Sequence, residues 1–586
     1  MLHKTSLRPF NKKTAGFNGM TANHRIDWAR VLASPWAMGI ALFAIGLLPR
    51  LIGLGDHPPR TDELYHIIAG RSWAENGTLG MGAGVYNRAH LYSIATGAMF
   101  KLFGVGMTQG RLLGALSGAL EVVALGLWLR AVAGAGAGWV GALLLAFNHF
   151  AVEQAQSARF YSAHALMAWI FATSVFAMLT GGVGQGKVRL AALAIITVAS
   201  LALAIHLQPL TAIIAGAVAC WAGPWLLANG RLSFFFGSLR RTTITLPVMF
   251  IAAAVFALVA RNLLLDAWHL YRRAPGWAEG DINDLSFYLQ ELSYSLNWMF
   301  SLAPVAAMIA WRRHRDAVIF CAVIIVVAAL GQTFGGMKAK RYIFYLYPFF
   351  IALWGMAFAV AAPAVVQWWE KVAPPAGRWR PALGMGLFAT VAGFALICAN
   401  SYRSSLVAVS HLVRTGSPDI LIHKGWGQME VDWTPHLGEL RRFVDKGSVF
   451  IATDMTRTIY YLHDYDILLN RSDLDDAGAG EFVYDDRAGR FEMGSGTALE
   501  LIVRCYPSGT LLMADFGDFN GIITADAWHV IRTRMHEIPL PPDLLLQGYA
   551  WKGKVDSNAP ECRAVYDAGY VHNRHAARMA QVRRPG

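Results

Sequence analysis

The chain has 586 residues, 55% of them hydrophobic and 15% charged, against roughly 45–50% and 25% for soluble globular domains. Its formal net charge of +13 lies entirely in the apolar part: residues 1–400 hold 31 Lys and Arg against 14 Asp and Glu, and residues 401–586 hold 20 against 24. An ordinary soluble protein is excluded, and the charge is distributed for a bilayer rather than for nucleic acid.

Residues 1–35 are polar and basic and precede a first apolar run from Trp36 to Leu54, long enough at about 1.5 Å per residue to cross a membrane. The long basic lead, with no small-residue cleavage pattern after the run, disfavours a cleaved signal peptide. Further runs start near Thr108, Gly136, His164, Val188, Pro209, Thr243, Leu292, Ala317, Tyr342 and Pro381, which predicts eleven spans over residues 36–400. Ala89–Phe103 is not counted. It has fifteen residues and carries Lys101, short of the roughly 20 that a crossing needs, and reads as an interfacial helix. With that choice the connectors near Arg130, Lys187, Arg240, Arg312 and Arg378 all fall on the side of the basic N-terminus, as the positive-inside rule requires. The N-terminus is then cytoplasmic, and the loop 55–109 and residues 401–586 lie outside.

In the tail, Ser448–Ala452, Ile467–Asn470 and Thr510–Asp515 read as strands, and Thr458–His463 and Ala525–Thr533 as helices, a small extracytoplasmic α/β domain. Cys220, Cys321 and Cys398 fall in spans, whereas Cys505 and Cys562 fall in the tail, where a disulfide is permitted. No C-x-x-C spacing suggests cysteine-bound metal.

Three outer places combine ionisable residues. In the first loop, HPPRTDELYH brings Asp62 and Glu63, and VYNRAHLY brings Arg88. Adjacent carboxylates diverge on any regular element, so one suits a general base while the other orients a partner; the competing reading is a helix N-cap by Thr61 or Asp62. The loop AVEQAQSARFYSAHAL offers Arg159 and Tyr161, which also suit an aromatic-belt anchor. GGMKAKRYIFYLYP crowds Lys338, Lys340 and Arg341 at the outer end of a span, against the positive-inside bias, and three cations there suit a phosphate. The acidic residues of Asp266–Glu291, Glu279 among them, read as a solvated face.

Asp-Glu after the first span, a basic residue before an interfacial helix, Q-x-A-R-x-Y (Gln156, Ala158, Arg159, Tyr161) and K-x-K-R-Y before a Pro-containing span together resemble the GT-C superfamily of integral-membrane glycosyltransferases. Within it, residues 36–350 resemble the bacterial branch of protein O-mannosyltransferases, lipid A aminoarabinose transferases and lipopolysaccharide-core galacturonosyltransferases. The resemblance implies a GT-C-like, α-helical polytopic membrane protein of the bacterial inner membrane. It implies inverting transfer of a sugar from a polyprenyl phosphate donor to a hydroxyl of an envelope acceptor, with the tail in the periplasm. Asp62 matches the catalytic carboxylate and Glu63 its partner. Arg88, Lys338, Lys340 and Arg341 would hold the donor phosphate, and Arg159, Tyr161 and His206 would contact substrate.

His206, in AIHLQPL, matches a frequent family histidine, although a helix-end cap explains it equally well. Tyr161 stands where some relatives have Asp, so a two-carboxylate metal site is not expected; a divalent metal is permitted but not obligatory. The Gly-rich stretches do not join a strand to a helix, which disfavours a nucleotide-sugar site. An oligosaccharide ligase or polymerase using a lipid-linked glycan shares these features. A transporter shares the span count, but Glu121 is the one clear mid-span charge.

Overall fold

A computed structural model describes residues 34–229 (without 57 and 182–185), 268–273 (without 270), 279–372, 386 and 431–572 (without 447, 471–481, 515–522 and 556). The spans expected near Thr243 and Pro381, and Cys398, lie outside the described residues.

Among the described residues six helices are long and apolar enough to cross a membrane, or seven if the pair Ala135–Ala146 and His149–Ala155, bent by 64°, is one span. The first helix, Pro35–Leu51, is shorter at 17 residues. Met107–Ala133 is the hub, packing on Pro35–Leu51, Ala135–Ala146 and Tyr161–Thr180. Its glycines make this possible: a Cβ at Gly126 would come within 2.4 Å of Leu42, and one at Gly118 within 2.6 Å of Arg50. Small residues are the usual means by which membrane helices approach closely. Trp128, Trp169, Phe176, Trp221 and Phe320 cluster inside the bundle, with Trp128 edge-on to Trp169 and Phe176, and Trp221 edge-on to Phe320.

Where the sequence predicts two spans from Leu292 and Ala317, the structure has Phe287–Leu296, Trp298–Ser301 and Ala303–Phe334. The last of these leaves helical geometry at His314 (φ −128°, ψ 39°), amid Arg312, Arg313 and Arg315. His314 lies near the main chain of Val132, at the end of the hub helix, while Tyr288 Oη lies 3.3 Å from Ala339 N. The chain therefore leaves one end of the bundle near Tyr288, turns at His314 and returns beside its starting point. Ala89–Phe103, excluded as a span, is the 14-residue helix His90–Phe103. It crosses Thr61–Asn76 so closely that a Cβ at Gly97 would lie 2.6 Å from the carbonyl oxygen of Gly70.

Between those two helices a short hairpin pairs β1 (Gly80–Met81) with β2 (Gly84–Val85). The C-terminal domain is a seven-stranded mixed sheet, with β3 Val449–Ala452, β4 Ile467–Leu469, β5 Phe482–Asp485, β6 Arg490–Met493, β7 Ser508–Ala514, β8 His536–Ile538 and β9 Leu546–Lys552, in the order β5-β6-β4-β3-β7-β9-β8. The contacts β3–β4, β3–β7 and β4–β6 are parallel, and both edges are closed by antiparallel pairs.

Alternation along β3 divides two cores. Val449 and Ile451 face the helices Gly496–Cys505, Ala525–Arg534 and Pro560–Ala568. Phe450 and Ala452 face Leu437–Val444 and Met455–Leu462. That second core continues into the membrane part, taking in Leu64, Ile68 and Ala69 of Thr61–Asn76 together with Met81 and Tyr86. Cys505 and Cys562 are disulfide-bonded, with Cα atoms 5.1 Å apart.

Candidate active site

The helix Thr61–Asn76 begins directly after Pro58-Pro59-Arg60. Its first turn holds Asp62 and Glu63, where the positive end of the helix favours carboxylates. Glu63, at the third helical position, reaches back to accept the Arg60 N–H at 2.9 Å, the reciprocal half of a capping box. Neither Thr61 nor Asp62 makes a side-chain cap.

The two carboxylates have different surroundings. Glu63 is 1% exposed and accepts four hydrogen bonds: from Arg111 Nε (2.9 Å) and Ala158 N–H (2.6 Å) on Oε1, and from Arg111 Nη2 (2.8 Å) and Arg60 N–H on Oε2. That exhausts the acceptor capacity of a carboxylate. Burial raises its pKa, but the charge and hydrogen bonds of Arg111 outweigh burial and hold it below the ordinary value. Arg111 also donates to the carbonyls of Leu54 and Pro58, both at 3.1 Å, so this pair ties the first helix's exit, the Asp62 turn and the 156–160 loop together.

Asp62 is half-exposed, with 43% of its side chain accessible. One carboxylate oxygen stands 3.4 Å from Arg159 Nη2 and 3.6 Å from Arg341 Nη2. Enclosure by protein raises this carboxyl's pKa, and the guanidiniums of Arg159, Arg341, Arg88 and Arg60 bring it below the ordinary carboxylate value. Arg159 is itself buried, with its other Nη donating to the main-chain carbonyl of Asp62 at 2.8 Å and its guanidinium carbon 5.2 Å from the Phe160 ring centre. Tyr161 Oη lies between the two cations, 3.5 Å from Arg159 Nη2 and 3.1 Å from Arg341 Nε. Arg341 is fixed from behind by Glu279 at 2.7 Å.

Arg88 is exposed and lies over the other edge of the same aromatic group, 5.7 Å from the Phe160 centre, with Nη2 3.3 Å from Gln208 Oε1. Its charge also acts on the Tyr342 phenol. The fold thus gathers Asp62, Arg88, Arg159, Tyr161 and Arg341 from four separate stretches of chain.

The remaining candidates stand apart. Lys338 is fully buried, and its ammonium donates to the carbonyls of Ile282 (3.1 Å) and Asp284, which latches a loop rather than facing Asp62. Lys340 extends toward Phe150, 5.8 Å from the ring centre, while its main-chain N–H donates to Glu279 Oε2. His206 Nε2 accepts the Leu91 N–H at 3.2 Å and its ring meets His90 edge-on, so it fastens the start of His90–Phe103.

Three participants were not singled out in the sequence. Arg111 carries a signal, a lone cation near the mouth of an apolar helix. Tyr86, within reach of the charges of Arg159 and Arg88, stands in the motif already quoted for Arg88. Glu279, read as part of a solvated face, is instead the buried-side partner of Arg341, and nothing in its local sequence marks it. Among the described residues no group of three or more His, Cys, Asp or Glu is placed to hold a metal ion.

The helical membrane bundle, the crossing helix after its first helix and the sheet domain packed on that loop together make a fold seen in solved structures. The fold is similar to that of ArnT from Cupriavidus metallidurans in the apo state (TM-score 0.55, 16% identity, 88% of this chain and 98% of that one). It is similar to the same protein bound to undecaprenyl phosphate (TM-score 0.53, 15% identity, 87% and 97%). A weaker likeness extends to the oligosaccharyltransferase AglB from Archaeoglobus fulgidus, in complex with an inhibitory peptide and a dolichol-phosphate (TM-score 0.43, 11% identity, 60% and 54%). No family model matches the sequence, and no curated protein matches it.

Proposed function

We propose that the protein transfers a sugar from a polyprenyl phosphate-linked donor to a hydroxyl of an envelope acceptor, with inversion and with Asp62 as general base. The observation that carries this reading is one half-exposed carboxylate held within 3.4 and 3.6 Å of two guanidiniums, with a third cation, Arg88, beside them. The acceptor hydroxyl gives its proton to Asp62 as its oxygen bonds the anomeric carbon from the face opposite the phosphate. The bond from that carbon to the phosphate oxygen breaks, and the electron pair leaves with the phosphate. A glycosyl phosphate already carries a good leaving group, so the charge building on it is the main demand on the site. Arg159, Arg341 and Arg88 meet that demand with forked donors.

On this reading Glu63 is a positioning residue. The donor phosphate belongs to Arg88, Arg159 and Arg341 rather than to Lys338, whose ammonium is committed to main-chain carbonyls. Lys340 flanks the site, and no obligatory metal is needed to supply positive charge. The undecaprenyl phosphate bound by the similarly folded ArnT agrees with a lipid-phosphate donor. The basic connectors favour a cytoplasmic N-terminus, with Asp62 and the C-terminal domain on the periplasmic side of the inner membrane.

The test is transfer itself. Purified protein, a radiolabelled polyprenyl phosphate sugar and an envelope fraction should yield labelled lipid, polysaccharide or protein, and Asp62→Asn should not. Movement of label across sealed vesicles by Asp62→Asn and wild type alike, without transfer, would favour a transporter and overturn the reading.

A further inference from the structure

The β1–β2 hairpin touches the C-terminal domain backbone to backbone. Ala83 N–H donates to the Ala488 carbonyl at 2.9 Å and Val85 N–H to that of Asp486 at 3.4 Å. No side chain fits between them: a Cβ on Gly84 would lie 2.3 Å from the Asp486 oxygen and 2.4 Å from that of Arg487, and one on Gly489 would lie 2.6 Å from the Ala83 carbonyl carbon. These obstacles are main-chain atoms, which cannot rotate aside. The turn on the other side is braced, because Asp485 Oδ1 accepts from both Arg487 N–H and Arg487 Nε at 2.9 Å, and Arg490 Nη2 donates to both carboxylate oxygens of Asp464.

One residue past the hairpin is Tyr86, which is buried, stacked on Tyr65 at 5.1 Å, edge-on to His66 at 5.3 Å, and close enough to Arg159 and Arg88 for their charges to act on its phenol. Two residues further is Arg88. The hairpin that delivers both groups is closed by the Tyr86 N–H bond to Leu79, tied to the helix Thr61–Asn76 by the Gly80 N–H bond to Ser72, and tied to the C-terminal domain by the 486 and 488 carbonyls.

We infer that the turn Asp485–Arg490 of the C-terminal domain is a positioning element of the site, clamping the β1–β2 hairpin through Gly84 so that Tyr86 and Arg88 are set against Arg159. This rests on the proposed function for its effect on catalysis, but not for the clamp itself. A displacement of about 1 Å at a binding group costs up to about a hundredfold in rate. Gly84→Ala, which touches no substrate group, should therefore lower kcat/KM by about ten- to a hundredfold, mainly by weakening the polyprenyl phosphate donor.

The experiment compares Gly84→Ala, Tyr86→Phe and the double variant, with Gly77→Ala as control. Gly77 has φ +74° and nothing within 4 Å of an added Cβ, so its substitution strains the same loop without meeting the C-terminal domain. The losses from Gly84→Ala and Tyr86→Phe should be strongly non-additive, and Gly77→Ala should keep near wild-type donor affinity. Additive losses, or an equal loss in Gly77→Ala, would reduce the contact to general stability and overturn the inference. Hydrogen exchange at the Tyr86 and Arg88 amides should accelerate in Gly84→Ala with no substrate present; unchanged exchange refutes the clamp whatever the protein transfers. If Gly84→Ala does not accumulate, Asp485→Ala loosens the brace from the other side and the same exchange readout decides.

Discussion

Arg159 holds Asp62 twice: one Nη donates to the residue's own main-chain carbonyl at 2.8 Å, and the other stands 3.4 Å from its carboxylate. The first contact fixes where the helix begins, and the second leaves the carboxylate oriented but able to accept another proton. Glu63, one residue on, has no acceptor left. Asp62→Asn should therefore preserve the fold and the thermal midpoint while transfer falls by at least about a hundredfold, the lower range for a general base. Equal activity in a well-folded Asp62→Asn would remove the base assignment.

The same cations set the pH dependence. Because the folded pKa of Asp62 is depressed below 3.8, its base form is complete above that value and is lost only as pH falls through the lowered one. The rate profile should show no acid limb from this group near neutrality. Arg159→Gln removes a leading stabilising charge while the desolvation that raises the carboxyl remains, so an acid limb should move upward in pH. A pH series of kcat/KM on the two proteins reads this directly, and an unmoved limb would show that Asp62 does not titrate against Arg159.

Glu63 gives a different signature. Removing one partner of a buried ion pair costs about 3–5 kcal/mol, so Glu63→Gln should lower thermal stability sharply, with lost activity following lost fold. Its folded pKa lies below the ordinary 4.5. Glu63 therefore contributes stability that is present above the unfolded value and lost as pH falls through the folded one. The wild type should lose stability in that acid window and Glu63→Gln should lack that component, which unfolding curves at several pH values would reveal.

The sequence made the membrane class legible because apolar runs of span length are nearly unambiguous, and it brought Asp62 forward because a carboxylate pair follows the first run, and Arg341 because outer cations run against the positive-inside bias. It also placed a turn at Arg312–Arg315, where His314 breaks the helix. What stayed hidden was pairing across distance. Glu63 and Arg111 are separated by 48 positions and Glu279 and Arg341 by 62, and no local pattern announces which carboxylate meets which cation. Lys338 misled for the same reason. Its charge placed it with Lys340 and Arg341, but those two begin a 3-10 helix at Lys340, whereas Lys338 precedes it and turns its ammonium into the protein, onto the carbonyls of Ile282 and Asp284. In the C-terminal domain β3, β4 and β7 stand out as short apolar runs, whereas β5, β6 and β9 carry polar edge residues and blend into loops.

The cations separate by what they hold. Arg341→Ala and Arg88→Ala should both weaken polyprenyl phosphate binding; Arg88→Ala should leave the fold near wild type, and Arg341→Ala should also cost some stability by unpairing Glu279. Lys338→Ala should instead destabilise the 281–286 loop with a smaller effect on the donor in the folded fraction. Titration of each purified variant with polyprenyl phosphate, alongside its thermal midpoint, makes the comparison. Donor affinity lost selectively in Lys338→Ala would return that residue to the phosphate site.

The Cys505–Cys562 bond joins the helices Gly496–Cys505 and Pro560–Ala568 on one face of the sheet, across 57 positions. In the chain-entropy account such a loop stabilises by up to roughly 4 kcal/mol, so Cys505→Ser and Cys562→Ser should each lower the stability of the C-terminal domain by a few kcal/mol. Both half-cystines are buried, so a thiol reagent reports best on an engineered surface cysteine. Glu561, 45% exposed at its side chain and next to the bond, is a suitable position. A membrane-impermeant maleimide applied to intact spheroplasts should label Glu561→Cys, and the native pair should react only after reduction and unfolding. Labelling of Glu561→Cys only in permeabilised cells would place the C-terminal domain in the cytoplasm. Because that domain shares a core with Leu64 and Ile68 of the Asp62 helix, such a result would carry Asp62 to the cytoplasmic side and overturn the proposed periplasmic transfer.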